Sequence, residues 1–137
     1  MKHIVIILIF CLFIGCKDTP ALNQSPRPIS VGMAHNLILQ QLGNKSFSIV
    51  DVRSYQEFQS GHIDQAIHIN YQDHDNLKKL DPKKTYLLYC KSGRRSQLAA
   101  EFLNNHGFKN VFNMTGGIDA WKIQFSTLTP SPLNESN

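Results

Sequence analysis

The chain has 137 residues, 42% of them hydrophobic and 18% charged, with 14 Lys and Arg against 10 Asp and Glu. This length accommodates one domain; the apolar fraction excludes a disordered chain, and 8 Gly and 6 Pro exclude collagen-like and low-complexity classes. A net charge of +4 without a basic stripe interleaved with aromatics argues against a dedicated nucleic-acid binder, and a single long apolar run argues against a polytopic membrane protein.

That run covers residues 4–14 and is preceded by Lys2 and His3. As a helix it rises about 16 Å, roughly half the hydrocarbon thickness, which is too short for a stable span and suits a secretory signal peptide. Phe13-Ile14-Gly15-Cys16 resembles a bacterial lipobox, with small Gly15 before the cysteine and Phe13 where leucine is usual. The resemblance implies removal of residues 1–15 and acylation of Cys16, which anchors the protein to a membrane of the cell envelope, facing the periplasm. Lys17 stands where an aspartate would favour inner-membrane retention, so the outer membrane is mildly favoured. An ordinary signal peptide cut elsewhere, or an uncleaved anchor, is the alternative. In the lipidated form Cys11 is lost and Cys16 is a thioether, so Cys90 is the single free thiol and no internal disulfide can form. An unpaired thiol in an oxidising compartment calls for a chemical reason.

Residues 16–28 carry three prolines and no apolar periodicity and read as a tether; residues 126–137 read as a polar tail. One domain is expected between them, over residues 29–125. Ser30 is placed to cap a helix carrying Met33, Ala34, Leu37, Ile38 and Leu42, ending near Gly43. Residues 47–52 read as a buried strand, and a short helix through Tyr55 and Phe58 stops at Gly61. Residues 66–69 suggest a strand, and residues 75–80 a short helix stopped by Asp81-Pro82. The most apolar strand, residues 85–89, runs straight into Cys90. A helix follows with Leu98, Ala99, Phe102 and Leu103 on one face, closed by Gly107 with Phe108 packing back on Leu103. Val111-Phe112 gives a last strand, Gly116-Gly117 a turn, and residues 118–123 a final helix whose Ile118, Trp121 and Ile123 close the core. Strands alternating with helices predict an α/β fold, a mostly parallel central sheet with helices on both faces. Ligands of such sheets lie at the carboxyl ends of the strands, where Cys90 is found.

Within five residues of Cys90 come Lys91, Arg94 and Arg95, and a helix starts there with its positive dipole end toward the sulfur. Opposite charge and hydrogen bonds to the anion both lower a thiol pKa. Gly93 lets the backbone curl so that successive N–H groups converge into an anion nest. An inert core cysteine is the ordinary alternative, and three cations beside it argue against that alternative. The activated reading requires a sulfur that ionises easily and meets bulk water.

The segments DVRSYQEFQSGHIDQAIHIN, YCKSGRRS and NMTGGIDAW together resemble a single-domain rhodanese, a thiosulfate sulfurtransferase. The resemblance spans nearly all of residues 29–121. It implies the rhodanese-like α/β fold and a Cys90 persulfide formed from a sulfane-sulfur donor such as thiosulfate and passed to a thiol or to cyanide. It implies substrate contacts from the loop residues Lys91, Ser92, Gly93, Arg94 and Arg95. It also implies supporting roles for Asp51, Arg53, Glu57, Gly61, His62 and the Gly116-Gly117 turn. No metal or cofactor is implied, and a monomer is expected, partnered by a small anionic donor, a thiol acceptor and the membrane. Gln65 departs from the family, where glycine is common at that place.

Two other readings compete. Cysteine phosphatases and arsenate reductases place an arginine six positions after the nucleophile, where this chain has Ser96. A sulfur carrier or envelope binding module without turnover is the second. His35, His62, His68, His74 and His106 lack ligand-like pairing, and Lys78, Lys79, Lys83 and Lys84 read as a solvated face.

Overall fold

A computed structural model describes residues 26–126. Its elements are β1 (Arg27–Ile29), α1 (Val31–Gln40), β2 (Phe47–Asp51), α2 (Tyr55–Gln59), β3 (Ile67–His68), α3 (His74–Lys78), β4 (Thr85–Tyr89), α4 (Arg94–Asn105), β5 (Val111–Met114) and α5 (Gly117–Phe125). The five strands form one parallel sheet in the order β1-β5-β4-β2-β3. Parallel neighbours require crossovers, and the crossover helices bury both faces of the sheet. The predicted α/β architecture is therefore the one found.

Central β4 shows how the sequence alternation builds two cores. Leu87 and Tyr89 enter the layer shared with Ala34 of α1 and Trp121 of α5. Tyr86, Leu88 and Cys90 enter the opposite layer with Leu77 of α3 and Ala99, Ala100 and Leu103 of α4. A side-chain period of two does this without any further signal. Ser30 caps α1 through its side chain, accepting from the Met33 N–H. At the end of α4 the Phe108 N–H donates to the Leu103 carbonyl, as the Gly107-Phe108 pattern predicts.

Four expectations need correction. β1 begins at Arg27, so the sheet takes in the last two residues of the stretch read as tether; Pro28 fits because an edge strand bonds a neighbour on one side only. In α1 the buried positions are Val31 and Ala34, whereas Met33 is exposed; the helix stops at Gln40, and Leu42 lies beyond it and is exposed. In α4 Ala99 and Leu103 are buried as expected, Ser96 and Ala100 join them, and Leu98 is exposed. Ile123 is 87% exposed, and Ile118 and Trp121 close the core without it. The signal peptide, Cys16, most of the tether and nearly all of the tail lie outside the described residues. Among the described residues no helix is long and apolar enough to cross a membrane.

The carboxyl end of β2 is fastened by a buried ion pair. Asp51 is fully buried and Arg53 is 4% exposed, with Arg53 Nη2 at 2.6 Å from Asp51 Oδ2. Arg53 Nε donates to both carboxylate oxygens, Nη2 also donates to the Gly61 carbonyl, and the Arg53 N–H donates to Asp51 Oδ1. Burial works against the Arg53 charge, and Asp51 outweighs it, leaving the guanidinium pKa above its ordinary value. The Val52 N–H donates to the Tyr89 carbonyl, so this knot sits directly beside the residue that precedes Cys90. Gln65 adopts φ 62, a left-handed conformation that accounts for the glycine usual at its place.

Asp51→Ala leaves the Arg53 guanidinium buried and unpaired and should destabilise the fold by roughly 3–5 kcal/mol in urea unfolding. Gln65→Gly removes the left-handed strain and should raise stability by about 0.5–1 kcal/mol in the same assay, the strain relief exceeding the extra chain entropy; an unchanged midpoint contradicts the strain.

Candidate active site

β4 delivers Cys90 to the carboxyl edge of the sheet, and the chain turns at once into α4. Gly93 is the N-cap of that helix, with φ 98. A Cβ there would lie 3.2–3.3 Å from the Met114 carbonyl oxygen, the Gly116 nitrogen and Thr115 Cα, so both the conformation and the space call for glycine. The turn brings the Gly93 N–H to 3.1 Å from Cys90 Sγ. Ser96, six residues after the cysteine and fully buried, places its Oγ 3.5 Å from the same sulfur.

α5 braces this loop from behind. The Ile118 N–H donates to the Cys90 carbonyl at 2.8 Å and the Asp119 N–H to the Lys91 carbonyl at 3.1 Å. The first turn of a helix has unpaired N–H groups, and here they find the nucleophile loop. A Cβ on Gly117 would come within 2.4–2.5 Å of the Lys91 and Cys90 carbonyls. The Gly116-Gly117 turn is thus a point of backbone contact, not merely a reversal.

Two opposed effects set the ionisation of Cys90. Burial pushes the thiol up; the Ser96 hydroxyl and the backbone N–H groups of Ser96, Ser92 and Gly93 pull it down, and the net result lies below the ordinary value. The predicted nest is therefore built from amides and a hydroxyl. The cations are placed differently from one another. Arg95 forks onto Glu57, Nη1 to Oε2 and Nη2 to Oε1, both at 2.7 Å. The same Glu57 closes a capping box with Ser54 at the start of α2. Hydrogen bonding from Arg95 pulls the Glu57 carboxyl down to about 2 despite partial burial. The Glu57 hydrogen bond likewise raises Arg95, with a smaller contribution from Cys90 itself. Arg95 thus joins α2 to the loop while its charge falls on the sulfur. Lys91, Ser92 and Arg94 are exposed.

Of the remaining supporting residues, the Gly61 carbonyl receives Arg53, and His62 stacks on Phe58 at 3.9 Å between ring centroids with Nδ1 3.1 Å from the Phe58 carbonyl. They hold the α2 region and do not touch the sulfur loop. Asn113 and Tyr89 escaped the sequence reading. Asn113 binds Ser96 Oγ, the Gly93 carbonyl and Gln97 from inside β5; its one sequence signal is a polar residue in an otherwise apolar strand. Tyr89 accepts the Ile63 N–H on its hydroxyl, and burial pushes its phenol well above the ordinary range.

One requirement of the activated reading is met poorly: Cys90 is only 1% exposed. The backbone that supplies donors to the anion also covers it. Lys91, Ser92 and Arg94 of the same segment are exposed. The surface grooves lined by Ile38, Leu42, Phe47 and Ile67, and by Ile29, Met33, Leu37 and Phe112, do not contain Cys90.

A parallel sheet with a cysteine ringed by amides at the carboxyl end of its central strand defines a class of protein, and the comparisons agree on which. Residues 35–124 match the rhodanese-like domain, and the chain belongs to that family. It is 36% identical over 87 residues to the thiosulfate sulfurtransferase GlpE of Pseudomonas savastanoi pv. phaseolicola, covering 63% of this chain and 82% of that one. It is 40% identical over 75 residues to the putative sulfurtransferase YtwF of Bacillus subtilis, covering 54% and 72%. Among solved structures, a rhodanese-like domain protein from Staphylococcus aureus superposes with a TM-score of 0.65 at 29% identity, covering 77% of this chain and 98% of that chain.

Glu57→Gln tests the Arg95 tie. Because the folded Glu57 pKa is depressed to about 2 from 4.5, the pair stabilises the fold above pH 4.5 and is lost as pH falls toward 2. The half-exposed pair contributes about 1 kcal/mol or less. Wild type should exceed the variant in urea midpoint near neutrality, and the gap should close through that acid window; a gap that persists at pH 2 contradicts the assignment.

Proposed function

We propose that this protein is a sulfurtransferase that carries sulfane sulfur on Cys90, taking it from thiosulfate or a similar anionic donor and giving it to a thiol. The observation that carries the reading is the Cys90 sulfur at 3.1 Å from the Gly93 N–H, at the start of α4, with a thiol pKa below ordinary. A thiolate formed this way needs no general base. It attacks the outer sulfur of thiosulfate; the S–S bond breaks with its electron pair leaving on sulfite, and Cys90 becomes a persulfide anion. An acceptor thiolate, or cyanide in a test tube, attacks the outer sulfur and returns the pair to Cys90 as thiolate. Charge is conserved in both halves. The loop amides face negative sulfur throughout, and Lys91 and Arg94 draw anions to the mouth. The names of the matched relatives support transfer of sulfur as the chemistry.

The low exposure of Cys90 favours a second reading, in which the domain carries sulfur to one docked partner and turns over poorly with small molecules. We further infer that Cys16 bears lipid and that the domain works at the cell envelope, facing the periplasm, with the outer membrane as the favoured site; the lipobox resemblance of residues 13–16 supports this.

With thiosulfate and cyanide the wild type should release thiocyanate, and Cys90→Ser should fall by at least about a hundredfold. Intact mass after thiosulfate alone should rise by one sulfur atom, and mature protein should carry acyl chains on Cys16. Equal thiocyanate release from both proteins would remove Cys90 from the chemistry. A stable sulfur adduct with negligible turnover would select the carrier reading.

A further inference from the structure

The Ser96 hydroxyl has one proton and three claimants. Its Oγ lies 2.7 Å from Asn113 Oδ1, 3.1 Å from the Gly93 carbonyl oxygen and 3.5 Å from Cys90 Sγ. Ser96 is fully buried and Asn113 is 3% exposed, so the claim is settled among these protein groups. The orientation of Asn113 follows from its other partners. Its Nδ2 faces the Gly93 carbonyl at 3.2 Å and Gln97 Oε1 at 2.9 Å. The Gly93 carbonyl can only accept. Gln97 in turn donates from Nε2 to the Glu101 carboxylate at 2.9 Å, which leaves its Oε1 to accept. Asn113 must therefore present its own oxygen to Ser96. Two oxygens 2.7 Å apart need a proton between them, so the hydroxyl donates to Asn113 and turns a lone pair toward the sulfur.

That arrangement suits a neutral Cys90, whose S–H can donate to Ser96 Oγ. It does not suit a thiolate, which accepts only. When the S–H proton leaves to solvent, the hydroxyl must rotate to the sulfur, and Asn113 Oδ1 is left buried without a donor. We propose that Asn113 is a positioning residue for Cys90: the two compete for the single Ser96 proton, which Asn113 holds while the sulfur is neutral and yields as the thiolate forms. In a persulfide the charge sits on the outer sulfur, Sγ is neutral again, and the proton returns to Asn113. The inference deepens the reading of Cys90 as a nucleophile and rests on it. Asn113 thereby sets an upper limit on how readily Cys90 ionises.

One cation reaches the sulfur: Arg95 of α4, forked onto Glu57 of α2, also interacts with Cys90, and it favours the thiolate whichever way the Ser96 proton points. Lys91 and Arg94 are exposed in the loop, and α5 presents backbone N–H groups to the loop carbonyls with Asp119 exposed. From β2, Asp51 and Arg53 satisfy one another beneath Tyr89.

The test is the ultraviolet thiolate titration of the full chain, with the Cys90→Ser protein subtracted, in wild type, Asn113→Val, Ser96→Ala and the double variant. Removing the competing oxygen should lower the Cys90 midpoint by about one pH unit, or about tenfold more thiolate below it. In the Ser96→Ala background the same substitution should produce no downward shift. A merely structural Asn113 would instead loosen the loop and raise the midpoint. An unchanged or raised midpoint in folded Asn113→Val, or the same shift in both backgrounds, overturns the proposal. If Asn113→Val does not fold, the wild type decides: the Asn113 side-chain carbonyl carbon resonance should move with the thiolate midpoint, and a stationary resonance overturns the proposal. Thiocyanate release is scored separately, so an Asn113 response in a protein without turnover would sink the sulfurtransferase reading and leave this coupling standing.

Discussion

Burying a sulfur at the end of a central strand strips its anion of water, and the loop after β4 replaces that water with fixed donors. The Gly93 N–H at 3.1 Å, the neighbouring amides of Ser92 and Ser96, and the Ser96 hydroxyl offset the burial and carry the thiol pKa below its ordinary value. Every one of those donors depends on backbone position to within a fraction of an ångström. Much of the rest of the molecule supports that position. α5 ties off the Cys90 and Lys91 carbonyls, the Gly116-Gly117 turn lets the two backbones touch, and Asn113 holds the Gly93 carbonyl from β5.

The same logic explains why buried charge appears where it does. Asp51 and Arg53 are costly groups to bury, and they sit at the end of β2, bonded across to Tyr89 of β4. They fix the strand end that delivers the cysteine. Glu57 and Arg95 act at the surface in the same sense, linking the cap of α2 to the first turn of α4. Cation and carboxylate bond one another there, the Arg95 charge also reaches Cys90, and Lys91 and Arg94 are exposed.

Much of this was legible in the chain because its signals are local. Ser30, the alternation of residues 85–90, and the Gly107-Phe108 ending each declare themselves within a few positions. The basic loop after Cys90 was equally plain. What could not be read depends on distant partners. Arg27 and Pro28 look like linker until β5 is beside them, because only an edge strand tolerates that proline. The tie between Arg95 and Glu57, 38 residues earlier, has no local signal in the chain. Leu98 and Ile123 look like core because they are apolar, yet both face outward. Asn113 shows its use only when three groups from α4 and its N-cap surround it.

The fold thus asks one sulfur to be both covered and charged, and a single measurement tests both halves. The rate of Cys90 alkylation by iodoacetamide, followed against pH, reports access through its plateau and ionisation through its midpoint. The account expects modification at a measurable rate with a midpoint below the ordinary free-thiol value of about 8.5. A Cys90 that stays unmodified in the folded protein, or that reacts only above that value, would contradict it.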